Sequence, residues 1–284
     1  MTKPVPSPDA TRSSTDVPVP RAEQPGVRPA QASPLPALTA GDAQHARTGL
    51  ALARKAQARI DEIVSALDEA GSQGQSLLPG WSRRHVITHL ARNADGLVNL
   101  LNWARTGIEH PMYASAADRD ADIEEGARRL FQIQQEDSAA ASGRFFTAAD
   151  ELTATDWTAT VTTRGGVAMS AALIPWMRVN ELLVHGVDLD CGITVDDLVE
   201  TAGEHLETVL SYVVSRFAGR TDVPSVLLEI VLPDGTARAV SLGGATTATT
   251  PRVIGLATDA ITWLTGRGSG ADLTGDVPPL PAWI

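Results

Sequence analysis

The chain has 284 residues, 43% of them hydrophobic, with 34 Asp and Glu against 23 Lys and Arg for a formal net charge of −11. That length allows one large or two modest domains, and the acidic balance argues against nucleic acid or an anionic membrane as partner. There is no run of about 18 apolar residues and no apolar signal-peptide core, and the single cysteine, Cys191, excludes an internal disulfide, so a cytoplasmic, reducing location is expected.

Residues 1–40 hold Pro4, Pro6, Pro8, Pro18, Pro20, Pro25, Pro29, Pro34 and Pro36, half of the eighteen prolines. Such a stretch sustains no helix and buries no core, so it reads as a disordered extension without a catalytic role. From Gly41 to Ala70, Leu50, Leu52, Ile60, Ile63, Val64 and Leu67 recur at helical spacing. A Gly- and Ser-rich loop over 71–80 follows. Ser82 then suits the N-cap of a second helix with Val86, Leu90, Ala94, Leu97 and Leu101 as its apolar stripe.

His85 and His89 both lie on that second helix. Spacing alone allows either to act as a ligand, but the angular step of about 100° per residue sets His89 closer to the stripe. His85 is expected to be exposed or an outer partner. A third helix is expected over 119–152, then a short hairpin with runs 158–163 and 167–170 around Arg164-Gly165-Gly166.

Pro175 sits near the start of the next helix, a tolerated position. This helix carries Glu181 and His185. Residues four apart share one helix face, so a carboxylate oxygen and an imidazole nitrogen can converge on one point. Such a pair also arises on ordinary solvated surfaces. Here Leu182, Leu183, Val184 and Val187 flank it, and Arg178 and Asp188 share its face. Those two could orient the ligands or form an ordinary ion pair. A third ligand from another helix would complete a two-His, one-carboxylate set of the kind that holds catalytic zinc with one position open.

Beyond Gly192 a helix is expected over 196–218, strands over 225–232 and 236–242 around Pro233-Asp-Gly-Thr236, and a last helix over 251–265. These make a small α+β unit. Cys191 and His205 have no activating or ligating partners nearby in sequence and read as structural.

The motifs Gly80-Trp-Ser-Arg-Arg-His-Val-Ile-Thr-His-Leu90, Asn102-Trp-Ala-Arg-Thr-Gly107, Pro111-Met-Tyr-Ala-Ser115, Trp176-Met-Arg178, Gly266-Arg-Gly-Ser269 and Pro278-Pro-Leu-Pro-Ala-Trp-Ile284 occur in order. Together they resemble the mycothiol-dependent maleylpyruvate isomerase family from about residue 44 to the end. The resemblance implies an α+β fold overall, with an N-terminal DinB-type four-helix bundle over 41–190 that binds a metal, followed by a smaller α+β domain over 191–284. It implies His89, Glu181 and His185 as ligands of zinc or another divalent metal, and Arg119 and Arg267 as catalytic residues, which could grip substrate carboxylates through bidentate hydrogen bonds.

By that resemblance the activity is conversion of maleylpyruvate to fumarylpyruvate in gentisate degradation. Zinc would hold the thiol of mycothiol as thiolate, which adds to the double bond and then leaves. The partners are then a small-molecule substrate and mycothiol. A mycothiol S-transferase that releases a conjugate is the first alternative, and a non-catalytic metal-dependent binding protein the second.

Overall fold

The segment Ile174-Pro-Trp-Met-Arg-Val-Asn-Glu-Leu-Leu-Val-His-Gly-Val-Asp188 has apolar residues around its whole circumference, and a helix of that kind is stable only when surrounded. In the computed structural model, which describes residues 32–36 and 41–283, every residue of this helix except Glu181 is buried.

The elements that enclose it follow in chain order. A short strand β1 (Ser33–Pro34) precedes α1 (Ala43–Ala66), whose first turn is capped by Asp42 accepting from the His45 N–H at 2.9 Å. One turn, α2 (Glu69–Ser72), leads to α3 (Arg83–Thr106), which Gly107 ends in the left-handed region at φ 71°. Then come α4 (Ala116–Ala127), α5 (Phe131–Asp150), the hairpin β2 (Thr160–Thr162) and β3 (Ala168–Ser170), and the buried helix itself, α6 (Ile174–Asp188). Helices α1, α3, α5 and α6 pack together as the bundle.

The remaining elements are α7 (Val195–Ala202), α8 (Leu206–Ser215), β4 (Val226–Val231), β5 (Ala237–Leu242), β6 (Arg252–Leu256), α9 (Ala257–Leu264) and β7 (Thr274–Gly275). The sheet runs β1-β5-β4-β6-β7, with β4 antiparallel to β5 and parallel to β6. One apolar core continues from Ile87, Leu90, Trp176 and Leu182 in the bundle through Leu198, Val209 and Leu210 to Leu228, Ile230, Val253 and Trp263 under the sheet. A second core, around Leu97, Leu101, Phe145, Trp157 and Ile174, fills the other end of the bundle. The α+β architecture is the one expected.

Several expected elements differ in detail. The single helix over 119–152 is two helices, α4 and α5, separated at 128–130. The helix over 196–218 is broken after Ala202 by Gly203 at φ 52°, a backbone conformation costly for other residues. The helix over 251–265 begins instead as strand β6, because Val253 is β-branched and buried against β4, leaving only 257–264 helical. Most of the Pro-rich stretch 1–40 lies outside the described residues, but Ser33 and Pro34 pair parallel with Arg238 and Ala239 at the sheet edge. Proline is tolerated there because an edge strand need not donate on both sides.

Arg178 ties the bundle together. It is 1% exposed and donates from Nη1 to the Leu90 carbonyl (2.7 Å) and Asn93 Oδ1 (3.0 Å), and from Nη2 to Gln57 Oε1 (2.8 Å) and Ser142 Oγ (3.3 Å). Helices α1, α3 and α5 are thereby each bonded to α6. Burial pulls its pKa down to about 10, so it keeps its charge at neutral pH. Of the two roles weighed from sequence, it takes neither: it bonds none of the three ligand candidates and is not paired with Asp188. Replacing it leaves buried acceptors without a donor, so Arg178→Met should lower stability by about 3 kcal/mol. Urea denaturation of chelator-treated protein would measure this, and an unchanged midpoint would remove Arg178 from this role.

Candidate metal centre

Glu181 is the one residue of α6 not fully enclosed, with its side chain 20% exposed where the helix meets α3. His89, on α3, brings Nε2 to 2.9 Å from Glu181 Oε2. His185, one turn along α6, brings its own Nε2 to 3.4 Å from the same oxygen. The two imidazoles meet edge to face with centroids 4.5 Å apart, and the three ligand atoms all lie within 4.8 Å of one another. Two ligands about 2.1 Å from a tetrahedral ion stand roughly 3.4 Å apart, so the cluster is near the spacing that one cation requires.

His185 is poised for a cation. Its Nδ1 lies 2.7 Å from Asp188 Oδ2, and a carboxylate there holds the proton on Nδ1 and turns the Nε2 lone pair toward Glu181. That Nε2 is buried and makes no hydrogen bond with a described residue, which is an unfavourable state that a bound ion would relieve. Burial disfavours a charge on His185, but the hydrogen bond to Asp188 and the nearby carboxylate of Glu181 outweigh it and raise its pKa. Burial likewise opposes ionisation of Glu181, yet His185 and His89 hold its pKa well below the usual carboxylate range. His89, buried and facing His185, has its pKa lowered to about 4.

Asp188 is held in turn by Arg267. Nε of Arg267 donates to Asp188 Oδ1 at 2.9 Å and Nη2 donates to Oδ2, while Nη1 donates to the Thr265 carbonyl. Asp188 is fully buried, and the neighbouring charges of His185 and Arg267 lower its pKa against the effect of burial. The substrate contact foreseen for Arg267 is not what its geometry provides. Its guanidinium is committed to Asp188 and lies outside the cavity beside Glu181, so its link to the cluster runs through Asp188 and His185.

Arg119 does reach the site. Its Nη2 lies 3.1 Å from His89 Nδ1, and Nη1 donates to Asp120 Oδ1 at 2.8 Å. Arginine has donors only, so His89 Nδ1 accepts here and the ring proton is on Nε2, donated to Glu181. A cation needs the opposite tautomer, with the Nε2 lone pair free. By donor type and spacing the residues present fit a divalent metal once the proton on His89 moves to Nδ1, a shift that Arg119 opposes.

A cavity of about 110 Å³ opens beside Glu181 and His89. Asn93, Tyr113, Arg119, Arg164, Tyr212 and Arg216 line it. Tyr113 and Tyr212, which are the two tyrosines of the chain, have raised pKa values because of burial, so both phenols keep their protons at neutral pH. Sequence reasoning missed Tyr212 and Arg216, although their four-residue spacing on one helix was a signal, and gave Arg164 only as part of a turn. His85 is not a ligand: its Nδ1 accepts from the Ser82 N–H at 3.1 Å and its ring stacks on Trp81. Cys191 donates to the Leu189 carbonyl at 3.2 Å, and burial raises its thiol pKa.

Removing the acceptor that orients a metal-bound histidine typically weakens binding ten- to a hundred-fold, so Asp188→Asn should lower zinc affinity by about that factor in a chelator competition. Arg119→Gln should do the reverse, tightening zinc by about tenfold, because the amide oxygen can accept a proton on His89 Nδ1 where the guanidinium cannot. Weaker zinc binding in Arg119→Gln would overturn the tautomer argument.

Residues 53–190 match the family described as mycothiol maleylpyruvate isomerase N-terminal domain. No curated protein sequence matches the chain. Among solved structures, the crystal structure of the mycothiol-dependent maleylpyruvate isomerase is 29% identical with a TM-score of 0.73, covering 84% of this chain and 97% of that one. A histidine-to-alanine mutant of that isomerase gives 28% identity, the same TM-score and the same coverage. Residues 53–190 thus belong to the mycothiol maleylpyruvate isomerase N-terminal domain family, in a chain that shares the isomerase fold.

Proposed function

We propose that this protein is a zinc- and mycothiol-dependent isomerase that converts maleylpyruvate to its trans isomer, fumarylpyruvate. The observation that carries the reading is the His89–Glu181–His185 cluster, with an unpartnered buried His185 Nε2, opening onto a small cavity lined by arginines and tyrosines. Likeness to crystal structures of an enzyme with that name supports it.

His89, Glu181 and His185 would hold a divalent metal, which would keep a coenzyme thiol as thiolate, a nucleophile suited to reversible addition to a conjugated double bond. The chain supplies the setting. Asp188 keeps the His185 proton on Nδ1, and Arg267 balances the charge of Asp188 so that this orientation persists. Tyr113 and Tyr212 present protonated phenols to the cavity, where they can donate hydrogen bonds to negative charge that develops on the substrate carbonyl oxygen. Arg119 adds a positive charge at the same wall, beside His89. A nucleophile borrowed from a coenzyme also agrees with Cys191, whose half-buried thiol is outside the cavity and has a raised pKa.

Incubation of zinc-loaded protein with mycothiol and maleylpyruvate should give the trans product with the thiol recovered unconsumed. Chelation should abolish turnover, and His185→Ala should lower kcat/KM by about a thousandfold, as loss of a group acting on developing charge typically does. A stable thiol conjugate would make the protein an S-transferase, and binding without turnover would make it a metal-dependent binding protein.

A further inference from the structure

Negative side chains exceed positive ones in this chain, 34 to 23, so an arginine generally finds a carboxylate. Most described arginines do: Arg54 with Asp150, Arg84 with Glu69, Arg144 with Asp95 and Arg252 with Glu229 are examples. Arg164 and Arg216 make no hydrogen bond or ion pair with a described residue, yet both line the cavity beside Glu181. They come from segments far apart in sequence. Arg164 stands in the turn between β2 and β3, and Arg216 closes α8 one turn beyond Tyr212. The nearby carboxylate of Glu181 offers them no partner, since both imidazoles already engage it.

We propose that Arg164 and Arg216 bind the carboxylates of the substrate and set the preference of this site for small organic dianions. The proposal rests on the isomerase reading for the identity of the substrate, and on the cavity alone for its charge. A volume of about 110 Å³ is that of only a few water molecules, at roughly 30 Å³ each. It admits a carboxylate with its neighbouring carbons and leaves the bulk of a coenzyme outside. Two guanidiniums on separate elements match two carboxylates on one short molecule, each through paired N–H donors that a single ammonium could not reproduce. Tyr113 lines the same cavity and feels the charges of Glu181, Arg119 and Arg164 together.

The test is calorimetric titration of maleate into zinc-loaded, full-length protein without thiol, so that no turnover intervenes. Arg164→Gln and Arg216→Gln should each raise the maleate Kd by about ten- to a hundred-fold, the loss expected for a charge-assisted hydrogen-bonded contact. Arg164→Lys and Arg216→Lys should recover part of it. Maleic diamide, the neutral analogue, should not discriminate between parent and variants. Arg47→Gln, which changes an arginine on α1 outside the cavity whose partner is Gln44, should leave the Kd unchanged. Equal zinc affinity and thermal midpoint in all variants would show that the fold is retained.

Parent-like maleate binding in both Gln variants overturns the proposal, as does a parent that binds maleate no better than the diamide. If isomerase activity is present but KM is unchanged in both variants, this proposal fails and the isomerase reading stands. If activity is absent but maleate binding depends on both arginines, the anion site stands and the isomerase reading fails.

Discussion

A carboxylate gripped by two imidazoles, on a helix otherwise sealed from solvent, is the constraint around which the rest is arranged. Polar groups inside a bundle are tolerated only when each has a partner. On α6, Arg178 finds four acceptors, Asn180 donates to the Trp176 carbonyl, and Asp188 is held between His185 and Arg267. Arg178 Nε and Asn180 Oδ1 still lack a partner among the described residues, as does His185 Nε2 in the cluster with Glu181 and His89. The carboxylate and the inner nitrogens converge on one point, the arrangement that a cation requires once the proton on His89 moves to Nδ1.

The chain distributes two tasks along one helix by spacing alone. Arg178 and Glu181 are three residues apart and His185 and Asp188 again three, so all four share a broad face. The N-terminal part of that face knits α1, α3 and α5 to α6, and the C-terminal part builds the candidate metal cluster and its support. Because Arg267 enters from the segment after α9, the orientation of His185 depends on the C-terminal layer as well as on the bundle. The continuous apolar core beneath the sheet provides the rigidity that this dependence requires.

The His89–Glu181–His185 cluster was legible because helical spacing is local: Glu181 and His185 meet whenever 174–188 is helical, and His89 lies close to the stripe on its own helix. Asp188 was legible for the same reason. Arg267 was legible as a residue but not in its role, because its partner lies 79 positions away and no periodicity reports a contact across that separation. The strand at 252–256 was hidden by its neighbours. Only pairing with β4, also distant in sequence, distinguishes Val253 and Ile254 in a strand from the start of the helix that follows. The cavity arginines were obscure for a related reason: what sets Arg164 and Arg216 apart is that no described residue bonds or pairs with their guanidiniums, which is visible only once every other described arginine has been placed.

A net charge of −11 would repel a dianion if the protein acted as a uniform sphere. At about 0.15 M ionic strength fields are screened over roughly 8 Å, so a substrate entering the cavity responds to the groups lining it and little to the distant surface. Those groups are positive in excess: Arg119, Arg164 and Arg216 against Glu181, whose charge the two histidines occupy. The exposed carboxylate of Asp120 draws off part of the charge of Arg119, which leaves Arg164 and Arg216 as the stronger local attraction. A divalent cation at Glu181 would shift the balance further, so binding of the metal and binding of an anion reinforce one another through the same small volume. An acidic protein can in this way receive an anionic substrate without a basic surface, provided that its few unpaired guanidiniums are gathered at one place.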